Sequence, residues 1–178
     1  MIGKAVDSSI SQSWSSGMVT AGNSENARID VGGLAGILNN CSLTDCYTTS
    51  NIDVNSGDGG TVGGIAGLLS DSHIDSVYTI SKIEASYVPD VSLGGVAGES
   101  AGTSSISNSI AFNEDISYEN CSNASVKRIC ASAGIFTENY GRNNLLGIND
   151  DSTTSQNGAD IHYINVKENN PLSLWDFD

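Results

Sequence analysis

Apolar residues in this chain come singly or in pairs between Ser, Thr, Asn, Asp and Gly. No stretch carries the 3.6-residue spacing of an amphipathic helix. A longer period does recur. VGGLAG at 31–36, VGGIAG at 62–67 and LGGVAG at 93–98 stand 31 residues apart. With these hexapeptides aligned, and the opening stretch after Gly3 fitted to the same template, Ile10, Leu43, Ile74 and Ile106 share one position. Four residues on stand Trp14, Tyr47, Tyr78 and Ile110. Nine residues on stand Val19, Ile52 and Ile83, with Ile116 displaced by an insertion. A shorter fifth copy, RICASAGIFTENYG at 128–141, puts Ile129 in the place of Leu34, Phe136 in that of Leu43 and Tyr140 in that of Tyr47, and has lost the Gly pair. Such decay is expected of a terminal repeat, which stops stacking and must cover the core.

A helix pair could also fill about 31 residues, but the Gly, Ser and Asn density argues against helix. Three short strands and their corners use the same length, each strand pairing with its equivalent one coil away at about 4.8 Å. The pattern therefore predicts an all-β fold: a parallel β-helix (β-solenoid) of about four to five coils over residues 1–145, closed by an irregular cap over 146–178. Leu34, Ile65 and Val96 should form one ladder and Val31, Val62 and Leu93 another. Cys46 aligns with Ser13, Val77 and Ser109. The aromatics are expected to stack inside with Ile, Leu and Val, and Ser, Asn and Asp to line the outside. The Gly pairs suit corners where a Cβ would strike the next coil or where φ must be positive.

Charge narrows the partners. The chain holds 21 acidic and 7 basic side chains, for a net charge of −14. That repels nucleic acid and anionic lipid, so neither is expected as a partner. No apolar run approaches the roughly 20 residues of a membrane-spanning helix. Cys41, Cys46, Cys121 and Cys130 lack CxxC spacing and an accompanying His cluster. They read as small buried thiols, with Cys41–Cys46 or Cys121–Cys130 disulfides left open for an exported protein.

GGLAG, GGIAG and GGVAG, each followed by a step such as DCY or SVY, resemble the GLUG motif of large bacterial surface proteins. Adhesins carry it, as does the non-catalytic N-terminal part of IgA-specific zinc metallopeptidases of Gram-positive bacteria. RICASAGIFTENYG, NGADI at 157–161 and LWDFD at 174–178 resemble the segments that close that repeat region, although Cys130-Ala131 stands where Ala-Gly is expected. The resemblance implies a scaffold or recognition segment of an extracellular or cell-surface parent protein, monomeric, with a surface protein or glycan as partner. The opening IG reads as the tail of a repeat, so the chain is expected to be a segment of a longer one.

Peptidase activity in that family resides in an HExxH zinc module, and this chain has only His73 and His162 and no HExxH. No catalytic, cofactor-binding or metal-binding residue is therefore expected. NSGDGG at 55–60 and GINDDSTTSQNGAD at 147–160 carry oxygen donors that calcium takes, but turn formation explains both. A carbohydrate-active β-helix enzyme, the alternative from another class, needs converging carboxylates. Asp45, Asp75, Glu84 and Asp90 instead fall at different positions of the coil. An ice-binding face would need exposed Thr-x-Thr ladders, for which only Thr48-Thr49 and Thr79 offer material. The stretch from Leu93 to Ile129 is longer than its sisters, which points to SYENCSNASVK at 117–127 as a protruding loop and binding site. A stalk without ligand is the other reading.

Overall fold

The computed structural model describes residues 1–22, 27–55, 57–148 and 150–162. It is a right-through stack of parallel strands: about four coils roughly 31 residues apart, with no α-helix among the described residues. Each coil contributes to three sheets. The first contains Ile2–Val6, Ala35–Asn39, Ala66–Ser70 and Ala97–Ala101. The second is the long wall, with Ser42–Asn55 as its longest strand, joined by Trp14–Ala21, His73–Thr79, Lys82–Ser86, Asp115–Glu119 and their shorter neighbours. The third holds Arg28–Gly32, Gly59–Gly63, Asp90–Gly94 and Asn123–Lys127.

Register follows the sequence alignment. Ile10, Leu43, Ile74, Ile106 and Phe136 pair in one column. Val19, Ile52, Ile83 and Ile116 form another, and Val31, Val62, Leu93 and Val126 a third. The amide N–H groups of Leu34, Ile65 and Val96 each donate to the carbonyl of the same column one coil on, ending at Ile129.

Corners use left-handed backbone, and not at the Gly pairs. Asp7, Asn40 and Asp71 sit at one corner with φ of 49°, 51° and 48°. Gln12, Asp45, Ser76, Asn108 and Glu138 repeat the conformation at the next. Most are Asp, Asn or Ser, whose short polar side chains can bond locally; Asp and Asn tolerate this conformation best among residues with a Cβ. This second corner overturns the expectation that Trp14, Tyr47 and Tyr78 lie inside, whereas Phe136 does. Strand alternation alone would put residues four apart on one face. The left-handed residue between Leu43 and Cys46 shifts the alternation by one, so Leu43 and Cys46 are fully buried while Tyr47 faces outward, half-buried.

The interior is two apolar lobes separated by a polar waist. One lobe gathers Leu38, Leu43, Leu69, Ile74, Ile106 and Phe136. The other gathers Ile52, Val54, Ile83, Leu93 and Ile116. Between them the Gly pairs press against the long wall. A Cβ on Gly33 would strike the Gly64 carbonyl of the next coil and lie 2.6 Å from Thr48 Oγ1. Gly64 repeats the arrangement against Gly95 and Thr79. Close approach, not positive φ, is what these glycines serve. The buried hydroxyls opposite them form a ladder: Ser15 donates to the Gly33 carbonyl at 2.7 Å and lies 2.9 Å from Thr48 Oγ1, and Thr79 donates to Ser81 at 3.0 Å. Thr48 and Thr79 thus point inward, which removes the exposed Thr face that ice binding would need.

The far end is closed by a side chain that sequence patterning passed over. Arg128 occupies the column of Gly33, Gly64 and Gly95, and it is completely buried. Its guanidinium donates to the carbonyls of Asn157 (3.0 Å), Gly158 (2.6 Å) and Arg142 (3.1 Å), and to Asp160 Oδ1 (2.5 Å). The Gln156 carbonyl accepts from Ile129 and Cys130, as the Ile129 carbonyl accepts from Val96 and Ala97 one coil earlier. Of the segment expected as a cap, residues 163–178 lie outside the described residues, LWDFD among them.

Candidate functional site

The outward columns of the long wall carry its distinctive chemistry. Trp14, Tyr47, Tyr78, Ile110 and Tyr140 occupy one column, exposed at Trp14 but covered at Ile110, which is buried in a cluster with Ile161. Trp14 and Tyr47 stack with ring centroids 5.9 Å apart and planes 7° apart. Tyr47 and Tyr78 stack at 4.8 Å and 2°. The Tyr47–Tyr78 separation repeats the strand spacing, so the sheet itself holds these rings parallel. Each stacked pair adds about 0.5–1.5 kcal/mol beyond its buried area. Trp14 is 62% exposed. Burial, then the neighbouring Tyr47, raises the Tyr78 hydroxyl pKa. Burial, then Glu138, does the same at Tyr140. Both therefore stay neutral hydroxyls at physiological pH.

Two residues further along the chain from Tyr47, Tyr78, Ile110 and Tyr140 stand Thr49, Ile80, Phe112 and Arg142. Ile80 is exposed, and the Arg142 guanidinium sits 5.9 Å from the Phe112 ring centroid. On the other side run hydroxyl and carboxyl groups: Thr44, Asp75 and Ser107 pair across three coils. Partial burial pushes the Asp75 carboxyl up, but hydrogen bonds from Ser107, Ser76 and Asn108 outweigh it and hold its pKa below the usual value. The surface is thus an aromatic stripe bordered on one side by fixed polar groups. Sequence reading found the column but assigned it to the core.

The other predicted positions are dispersed. His73 is exposed at the start of its strand, its Nδ1 2.8 Å from Ser105 Oγ. It borders a shallow groove of about 320 Å³ with Asp7, Asn40 and Asp71, whose side chains already bond one another or their corners. His162 is exposed and contacts Asn143. Asp45 occupies a left-handed corner, Glu84 pairs with Lys82 at 2.8 Å, and Asp90 accepts from Asn123 at 2.7 Å on the third sheet. These carboxylates do not converge.

Within 147–160, Asp150 accepts from Ser152 and Ser155. Asp160, the last residue of that stretch, accepts from Arg128. Asn149 and, in the 55–60 stretch, Ser56 lie outside the described residues. Among the described residues no group of three His, Cys, Asp or Glu is placed to hold a metal ion. All four cysteines are free thiols, three of them buried, so neither disulfide is present.

The expected loop at 117–127 is corrected. Asp115–Glu119 and Asn123–Lys127 are regular strands, paired in register with Lys82–Ser86 and Asp90–Gly94. Pairing offsets place the additional residues earlier, one at the Gly102-Thr103 turn and one between Ala111 and Asp115. An insertion shows in sequence as added length, and alignment by the next repeated motif does not say where in the coil it falls.

The chain matches no protein-family model, no curated protein and no solved structure.

Proposed function

We propose that this chain is a non-catalytic scaffold and recognition segment of a large bacterial cell-surface or secreted protein, of the adhesin-like or IgA-peptidase-like kind its repeats resemble. The observation that carries the reading is the stripe of Trp14, Tyr47 and Tyr78, held parallel on an outward face of the long wall. Rigid aromatics with one wet side are economical anchors, because few rotamers are lost when a ligand docks. Hydroxyl neighbours and a net negative charge favour a neutral glycan over an anionic one.

The test uses Trp14→Ala and Tyr47→Ala variants with neutral and sialylated oligosaccharides, read by heteronuclear NMR titration. Neutral oligosaccharides should shift resonances along the stripe, and each substitution should weaken binding about tenfold. Binding that ignores both substitutions refutes the stripe as the site. No binding to any glycan favours the stalk without ligand.

A further inference from the structure

Tyr47 and Tyr78 are equivalent residues of adjacent coils, directly paired on neighbouring strands in the middle of the stack. Their rings lie 4.8 Å apart and within 2° of parallel, and both are half-buried. Tyr47 contributes, after burial, to the raised Tyr78 pKa, as expected where the hydroxyl ends approach along with the rings. Strand pairing on either side of them, Cys46 with Val77 and Thr48 with Thr79, keeps the two backbones from drifting apart. The other tyrosines of these sheets have different neighbours: Tyr118 pairs with Ala85, and Tyr140 with Ile110 and Ala159.

Such a stack is the approach geometry of phenol coupling. A phenol that loses one electron and its hydroxyl proton becomes a radical whose unpaired spin lies above and below the ring. Much of that spin sits on the carbons beside the oxygen, the Cε atoms of tyrosine. A carbon–carbon bond between two such radicals therefore forms along the ring normal, which is where each of these rings finds the other. Two groups held in this way react at an effective concentration far above that of any protein solution.

We infer that Tyr47 and Tyr78 are a site of oxidative cross-linking, at which hydrogen peroxide activated by a haem peroxidase joins the two rings as dityrosine and staples one coil to the next. Each phenol gives up one electron and one proton, and the two radicals form a Cε–Cε bond. The hydrogens on the bonded carbons then leave as protons while the oxygens take up protons, which restores both phenols. The chain loses two hydrogen atoms in all, and one hydrogen peroxide is reduced to two water molecules. The bond ties together residues 31 apart in sequence, closing a loop that the unfolded chain can no longer open. The inference holds whether or not the stripe binds a glycan.

The test treats the 178-residue chain with hydrogen peroxide and a haem peroxidase at about 1 µM, where encounters between chains are infrequent. Dityrosine fluorescence should appear in a monomer whose mass has fallen by two hydrogens, and peptide mapping should join Tyr47 to Tyr78. Tyr47→Phe and Tyr78→Phe keep a ring in the stack but remove the phenol, and each should abolish the monomeric cross-link. Tyr118→Phe, at an exposed tyrosine, should leave it in place. The stapled chain should melt roughly 5–15 °C higher. In urea-unfolded chain the same treatment should scatter coupling among all six tyrosines. No cross-link, or one found only between chains or at other tyrosines, overturns the inference. So does one that persists in either variant of the pair, forms equally in urea or fails to raise Tm.

Discussion

Gly64→Ala tests the waist on which the whole cross-section depends. The added Cβ would strike the Gly95 carbonyl and Thr79 Oγ1, and would lie 3.0 Å from Thr79 Cβ. The carbonyl belongs to the next coil and cannot rotate away, so coils must separate or the Gly corner must withdraw from the wall. Overpacking of this kind costs about 1–3 kcal/mol. Displacing Thr79 also disturbs its bonds to Ser81 and Asn113, each contributing about 0.5–1.5 kcal/mol. A loss of about 3 kcal/mol follows, a fall in Tm of roughly 6–12 °C for a chain of this size. Gly3→Ala is the internal control, because nothing lies within 4 Å of a Cβ there. It should be neutral or gain up to about 1 kcal/mol from the stiffer unfolded chain. Urea and thermal melts followed by circular dichroism measure both. If Gly64→Ala melts within a degree or so of Gly3→Ala, the waist argument fails.

Arg128→Met should cost about 3–5 kcal/mol in urea unfolding, since it strands Asp160 and several cap carbonyls that the guanidinium now serves. A loss under about 1 kcal/mol would show that the plug is dispensable. Thiol labelling of the native protein should modify Cys121 first, because Cys41, Cys46 and Cys130 are buried and burial pushes the Cys130 thiol up to about 11. Equal rates at all four would refute the burial pattern. The lowered pKa of Asp75 stabilises the fold above the ordinary Asp value near 4, and that contribution disappears as pH falls through the folded value. Asp75→Asn should therefore flatten the acid side of the stability–pH profile, and an unchanged profile would count against the Ser107, Ser76 and Asn108 bonds.

Sequence periodicity by itself determined the coil length, the parallel stacking and the membership of each column, down to Phe136 and Tyr140 in the shortened copy. It could do so because neighbouring coils put equivalent residues side by side, and like side chains fill like space. It did not determine which way a column points. One left-handed residue at Asp45 or Ser76 shifts the alternation, so Tyr47 and Tyr78 reach the surface although their spacing from Leu43 and Ile74 suggests the core. The partner of the Gly pairs was equally hidden, since Gly33 and Thr48 meet only when the coil folds across itself. Arg128 stands where the second glycine of the pair is lost, and the sequence carries no other sign of its role. Only the tertiary structure shows that the backbone carbonyls of Arg142, Asn157 and Gly158 converge on its guanidinium, which supplies the donors they need.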